Sequence, residues 1–454
     1  MILFEKSTGI KVFLKKGNPG AKTLGYWQRL ILAFVLHFGR MSASRAGEAL
    51  RSNSRHRANV ARFLAESQWS NDILQCYWMA VLLLEEESRK AGPYLFILDQ
   101  TCCSQQGKLA PNTVSTGNRQ RRPCKGRRYN KKKYAKKSQH IFVMGLLITP
   151  GGLRLPVCKG YYTKPYCETK KVEYHTQTEL AAELIRELQV PERARVIVLG
   201  DTAFDAKVIR EACAERHYTW IVPLNSERVL AGAKPRPKVR TLVSKMTADQ
   251  FVPVKLEPTK GQFVAQRRLS ACRIGLKVKT RTFYVHTEIQ EVHSVGKVQL
   301  AFSCKVQPTK DKPIELSKIL MTNDLTMSEA EVVETYSLRW QIELFFKELK
   351  STLGIHQYRF RKYEAVLNWV QVGLLAFLYL EWTRAQKLRN RRLKEEDKKW
   401  WRNQRTYGLC RAVRQTAEEK ELAELSRLTA TKTGLKKLKK TLREALPPEY
   451  RKTA

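Results

Sequence analysis

The chain has 454 residues and carries Lys+Arg 84 against Asp+Glu 42, a formal net charge of +42 and a pI near 10.0. No ordinary soluble enzyme needs such an excess in order to fold, and because it is spread along the chain it points to a polyanionic partner, nucleic acid first. Ten cysteines without a C-x-x-C spacing, in a chain long enough to bury several cores, argue against a disulfide framework, a redox pair or a zinc knuckle. Eight histidines without H-x-x-x-H or H-E-x-x-H spacing argue against a histidine metal site.

A membrane-surface role is the competing reading of the charge. The longest apolar stretch, 366–382, is interrupted by Asn368 and Gln371 and falls short of the roughly 20 residues a membrane span requires, so it reads as a buried helix. The N-terminal residues include an acid and lysines where a secretory signal needs an unbroken apolar core, which predicts a cytoplasmic protein.

Residues from about 24 to 90 read as helices. Ala46, Ala49, Leu50, Val60, Phe63 and Leu64 supply apolar positions, and Arg45, Arg51, Arg55, Arg57 and Arg62 supply charge suited to phosphates. A bundle whose arginines merely face water competes with a DNA-binding region here, and no Gly-containing turn marks a helix-turn-helix. Pro93 then introduces a short apolar run that ends in Asp99 and reads as a buried strand. In the following loop, residues 119–137 pack Arg119, Arg121, Arg122, Lys125, Arg127 and Arg128 among further lysines, a block of one sign that awaits a polyanion.

Residues 141–149 and 153–163, joined by Pro150-Gly151-Gly152, carry the strongest hairpin signal in the chain. A helix near 176–188 leads to a strand at 195–199, with Asp201 just past its end. A short helix (206–216) and a strand beginning at Tyr218 follow. From about 226 to 313 the composition turns Pro- and Lys-punctuated and strand-rich, with a candidate β-hairpin around Glu291 to Gly296. Ile319-Leu320-Met321 returns to strand-like core sequence. Ser328 and Glu331 have capping-box spacing.

The stretch 335–350 has no Pro or Gly and two stripes, so it reads as one helix. Leu338, Ile342, Phe345 and Leu349 form an apolar face, extended by Phe346 and Leu353. Tyr336, Arg339, Glu343, Lys347 and Lys350 stack along a second face. That second face is either a solvated stripe with Arg339–Glu343 and Glu343–Lys347 pairs, or a carboxylate held among DNA-contacting cations. Beyond Trp382 the chain is basic and helical, amphipathic in places.

Asp99, Asp201 and Glu343 then stand out together. An Asp after an apolar strand is often only a turn or capping residue, yet three carboxylates in this setting suit a hard cation that leaves positions for water and phosphate. Two such ions activate a water or a 3′-hydroxyl and stabilise the leaving oxygen.

Tyr336, Arg339, Glu343 and Lys350 also match the Y-x2-R-x3-E-x6-K signature, so the chain resembles bacterial DDE transposases of the insertion-sequence family-4 type over about 94–380. The resemblance implies an α/β fold with a ribonuclease-H-like catalytic core at 91–225 and 316–388 and a β-rich insertion at 226–315, while the N- and C-terminal regions at 1–90 and 389–454 read as helical from their own residues. The resemblance also implies Asp99, Asp201 and Glu343 as ligands of two Mg²⁺ ions, or Mn²⁺ in their place, with Tyr336, Arg339 and Lys350 contacting DNA near the scissile phosphate. It implies double-stranded DNA as partner, both terminal inverted repeats and target, with a homodimer on paired ends, no membrane, and a prokaryotic nucleoid-associated location. Many relatives carry Arg directly after the second Asp, whereas Asp201 is followed by Thr202-Ala203-Phe204-Asp205, which leaves the role of Asp205 open. A structure-specific nuclease or resolvase, and a catalytically silent DNA-binding descendant, are the alternatives.

Overall fold

Hairpin chemistry and buried apolar strands organise one ten-stranded sheet in the computed structural model. The structure describes residues 9–17, 19–36, 41–42, 45–46, 56–66, 72–84, 91–105, 110–116, 137–232, 236–256, 281–311 and 314–445. The helices of the N-terminal region are α1 (Ile10–Lys15), α2 (Ala21–Leu36), α3 (His56–Glu66) and α4 (Asp72–Leu84). Ala46, Val60, Phe63 and Leu64 are buried as the apolar pattern requires; Ala49, Leu50, Arg51 and Arg55 lie outside the described residues.

The sheet starts with β1 (Tyr94–Gln105), β2 (Val114–Thr116), β3 (Lys137–Ile148) and β4 (Arg154–Gly160). The β3–β4 hairpin closes at Ile148 opposite Arg154, across Pro150-Gly151-Gly152, and Gly152 takes the positive φ of 84° that favours glycine. Next come α5 (Lys164–Lys170), α6 (Gln177–Arg186), β5 (Val196–Leu199), α7 (Lys207–Glu215), β6 (Thr219–Pro223) and the short α8 (Arg240–Val243). β1 runs parallel to β5 and β5 parallel to β6, while β3 is antiparallel to both β1 and β4. The order β4-β3-β1-β5-β6, a mixed sheet with helices, is consistent with a ribonuclease-H-like core.

The strands β7 (Val252–Leu256), β8 (Arg281–Val292), β9 (Gly296–Cys304) and β10 (Lys318–Thr322) add to the same sheet in the order β6-β10-β9-β8-β7. The hairpin expected around Glu291 to Gly296 joins β8 to β9, with Val292 opposite Gly296. The strands at 252–256, 281–292 and 296–304 thus continue the sheet sideways.

The chain then forms α9 (Glu329–Ser337), α10 (Trp340–Glu348), a π-helical turn at Leu349–Leu353, α11 (Tyr363–Arg389), α12 (Glu395–Asn403), α13 (Thr406–Thr429) and α14 (Lys432–Ala445). The Ser328–Glu331 capping box starts α9 as expected. α11 contains the apolar stretch 366–382 and is the hub of the helical layer: Trp369 meets Phe34, and Tyr379 and Trp382 meet Phe13. Among the described residues it alone is long and apolar enough to cross a membrane, and 83% of its apolar window is buried inside the protein.

Two expectations need correction. The strand that carries Asp99 does not end there: its antiparallel pairing with β3 runs on to Gln105 opposite Ser138, because β3 supplies ladder partners beyond the apolar run. Nor is 335–350 one helix. It breaks at Leu338 and Arg339, where the amides of Leu338, Arg339, Gln341 and Ile342 reach back only three residues, so the tighter turn separates α9 from α10. The apolar face survives the break, with Ile342, Phe345, Phe346, Leu349 and Leu353 buried and Leu338 half-buried.

Candidate active site

Sheet register brings the first two acids together. The parallel β1–β5 ladder ends with Ile97 opposite Leu199, so Asp99 and Asp201 each stand two residues beyond the last pair, on neighbouring strands. Asp99 Oδ1 accepts the Gln100 amide at 2.7 Å. Asp201 Oδ1 accepts the Ala203 amide at 2.9 Å and so caps a 3₁₀ turn at Thr202–Phe204. The capping alternative for Asp201 is therefore real, and it fixes the carboxylate at the strand end without removing it from the site. Gly200 lets that turn fold back, since a Cβ there would stand 2.8 Å from the Cβ of Phe204.

The third acid arrives from α10, which packs against β1. Arg339, in the tight turn before α10, connects it to the first: its guanidinium lies 2.7 Å from Glu343 Oε1 and 3.6 Å from Asp99 Oδ2. The Arg339–Glu343 pair of the solvated-stripe reading exists, but it faces the strand ends. The Glu343–Lys347 pair does not form among the described residues, and Lys347 is exposed.

These groups share one electrostatic field. Burial raises the Asp99 pKa to about 6; the Gln100 amide and Arg339 oppose the rise, and Asp201 and Glu343 add to it. Among the described residues no three His, Cys, Asp or Glu side chains stand at metal-ligating spacing, and Arg339 bridges two of the three acids. The donor chemistry, a raised Asp99 carboxyl under the negative charge of Asp201 and Glu343, nevertheless suits a hard divalent cation.

The other expected contacts are placed as follows. Tyr336 is buried, and burial raises its pKa to about 12; Arg339 lies at its hydroxyl. Lys350 sits in the π-helical turn and donates to the Cys102 carbonyl oxygen at 3.0 Å, tying that turn to β1. Arg119, Arg121, Arg122, Lys125, Arg127 and Arg128 lie outside the described residues. Asp205 pairs with Arg210 of α7 and with Arg228, and so braces the turn that follows Asp201.

Two features escaped the sequence reading. Lys318, the first residue of β10, puts its ammonium 4.8 Å from the Tyr336 ring centroid. Its only sequence signal was a single cation directly ahead of an apolar strand. The second is a buried ion network behind α10. Glu348 Oε2 takes Arg154 at 2.8 Å and the Thr406 hydroxyl at 2.7 Å, and Glu348 Oε1 takes Arg405 at 3.4 Å. Arg154 also binds Glu381 at 2.9 Å, and Arg384 joins Glu381 to the Gly152 carbonyl.

Two family models match the chain over overlapping ranges. Residues 168–379 match the transposase DDE domain, and residues 25–245 match the DDE superfamily endonuclease. The second range contains Asp99, the first contains Glu343, and Asp201 falls in both. No curated protein matches the chain. The chain carries a DDE domain of the transposase and endonuclease kind.

Proposed function

We propose that this protein is a DNA transposase of the insertion-sequence family-4 type, which cleaves the ends of its own element and joins the freed 3′-hydroxyl to target DNA. The reading is supported by the position of Asp99 and Asp201 at neighbouring strand ends, with Arg339 between Asp99 and Glu343. Asp99, Asp201 and Glu343 would hold two divalent cations, Mg²⁺ or Mn²⁺. When bound, these supply the positive charge that activates the attacking oxygen and stabilises the leaving one. Arg339 orients Asp99 and Glu343, and Tyr336 and Lys350 brace the elements on either side of them. The excess positive charge binds the duplex backbone, Lys347 from the exposed side of α10 and the arginines and lysines of 119–137 among its carriers. A homodimer on paired terminal inverted repeats is part of the same reading.

The test uses linear DNA carrying the sequences that border the reading frame, with Mg²⁺ and a target plasmid. Joined product is expected from the wild-type protein and none from Glu343→Gln. Cleavage without joining would instead make the protein a nuclease, and cleavage that survives Glu343→Gln undiminished would remove the glutamate from the site.

A further inference from the structure

β10 runs antiparallel to β6, so Lys318 at its start lies at the end of the sheet where β5 and β6 finish, with β6 between it and the β5 end that carries Asp201. Its side chain remains accessible to solvent, and its ammonium rests on the Tyr336 ring. Arg339 lies at the hydroxyl of the same tyrosine, which places two cations within the span of one aromatic side chain. Their situations differ. Arg339 is bound to Glu343 and approaches Asp99, whereas no carboxylate pairs with Lys318 among the described residues. Burial lowers the Lys318 pKa, and the charge of Arg339 lowers it further; Asp201 and Glu343 act in the opposite sense but more weakly than Arg339.

A phosphodiester that approaches three carboxylates is repelled, and a cation already neutralised by those carboxylates does little to offset the repulsion. Lys318 is a cation at the same sheet end that forms no ion pair with a carboxylate among the described residues. We propose that Lys318 is a phosphate-binding residue of this active site, its ammonium donating to a non-bridging oxygen of a DNA backbone phosphate beside the Arg339 guanidinium. Tyr336 is then the platform that aims the ammonium, which accounts for a buried tyrosine at this position. The inference rests on the transposase reading and adds a contact from β10, outside the helical signature.

The probe is a short blunt duplex of the sequence bordering the reading frame, bound in the presence of EDTA so that it stays intact, with affinity followed by fluorescence anisotropy across a salt series. A lost phosphate contact makes the slope of log K against log[salt] shallower by about 0.9. Lys318→Gln is expected to show that change and Lys318→Arg to keep the wild-type slope. With Mg²⁺ restored, strand cleavage by Lys318→Gln is expected to fall about tenfold and to be rescued by arginine. An unchanged slope in Lys318→Gln overturns the inference and leaves the transposase reading intact; a wild-type protein that binds the duplex at no salt concentration overturns that reading instead. Should Lys318→Gln fail to fold, Lys318→Arg decides alone: a retained slope supports the phosphate contact, and a shallower one makes Lys318 a structural clamp on Tyr336.

Discussion

Glu343 and Glu348 lie on the same short helix, five residues apart, and do opposite work. Glu343 is partly open at the sheet end, paired with one guanidinium and close enough to Asp99 to raise its pKa. Glu348 is 9% exposed and saturated, with Arg154, Arg405 and Thr406 all donating to it. Under-satisfied carboxylates keep lone pairs for a cation, and fully satisfied ones lock elements together. Glu348 joins β4, α10 and the start of α13, and through Arg154 and Glu381 it reaches α11. The helix that presents one acid to the site is thus anchored by the other.

Mutating the two residues separates these roles. Glu343→Gln is expected to cut strand cleavage by about a thousandfold, the loss of roughly 4 kcal/mol of transition-state stabilisation. Its effect on folding is small, within about 1 kcal/mol, since it removes a partly exposed i,i+4 pair. Glu348→Ala reverses the pattern. It leaves Arg154 short of one of its two buried carboxylate partners and removes the Glu348 contact of Arg405, at a cost of about 3–5 kcal/mol of stability, read as a shift of the urea midpoint. Cleavage at low temperature, where the fold persists, should drop far less than in Glu343→Gln. Asp205→Asn is the intermediate case: two arginines lose a charged partner behind the Asp201 turn, at about 1–3 kcal/mol, with cleavage reduced but not abolished.

The difference between the glutamates also explains what could be read in advance. Local features were legible: Pro150-Gly151-Gly152 between apolar runs, the Ser328–Glu331 spacing, and acids just past the apolar segments 95–98 and 196–199 each follow from a few neighbouring residues. Glu348 was not, because its partners lie 194 and 58 positions away, and nothing in a charged residue on an amphipathic helix names a partner at that distance. The break at Leu338 and Arg339 was hidden as well: residues there have ordinary helix propensity, so nothing local marks the tight turn. Asp99 was placed at the end of its apolar run, although β3 carries the ladder beyond it.

The smallest expected effect concerns pH, and it tests whether Glu348 is ionised by its neighbours. Burial opposes its charge, but Arg154, Arg405 and the Thr406 hydroxyl more than offset burial and hold the pKa below the usual glutamate value. A carboxyl whose folded pKa is depressed contributes stability above the unfolded value, near 4.3, and that contribution fades as pH falls through the folded pKa. Glu348→Gln has no such proton to bind. The stability gap between wild type and Glu348→Gln should therefore hold constant from pH 7 down to about 5 and narrow below about 4, followed by urea unfolding at each pH. A gap that began to close near neutrality would mean that burial, rather than the three donors, governs this carboxyl, and that the anchor of α10 is weaker than its contacts imply.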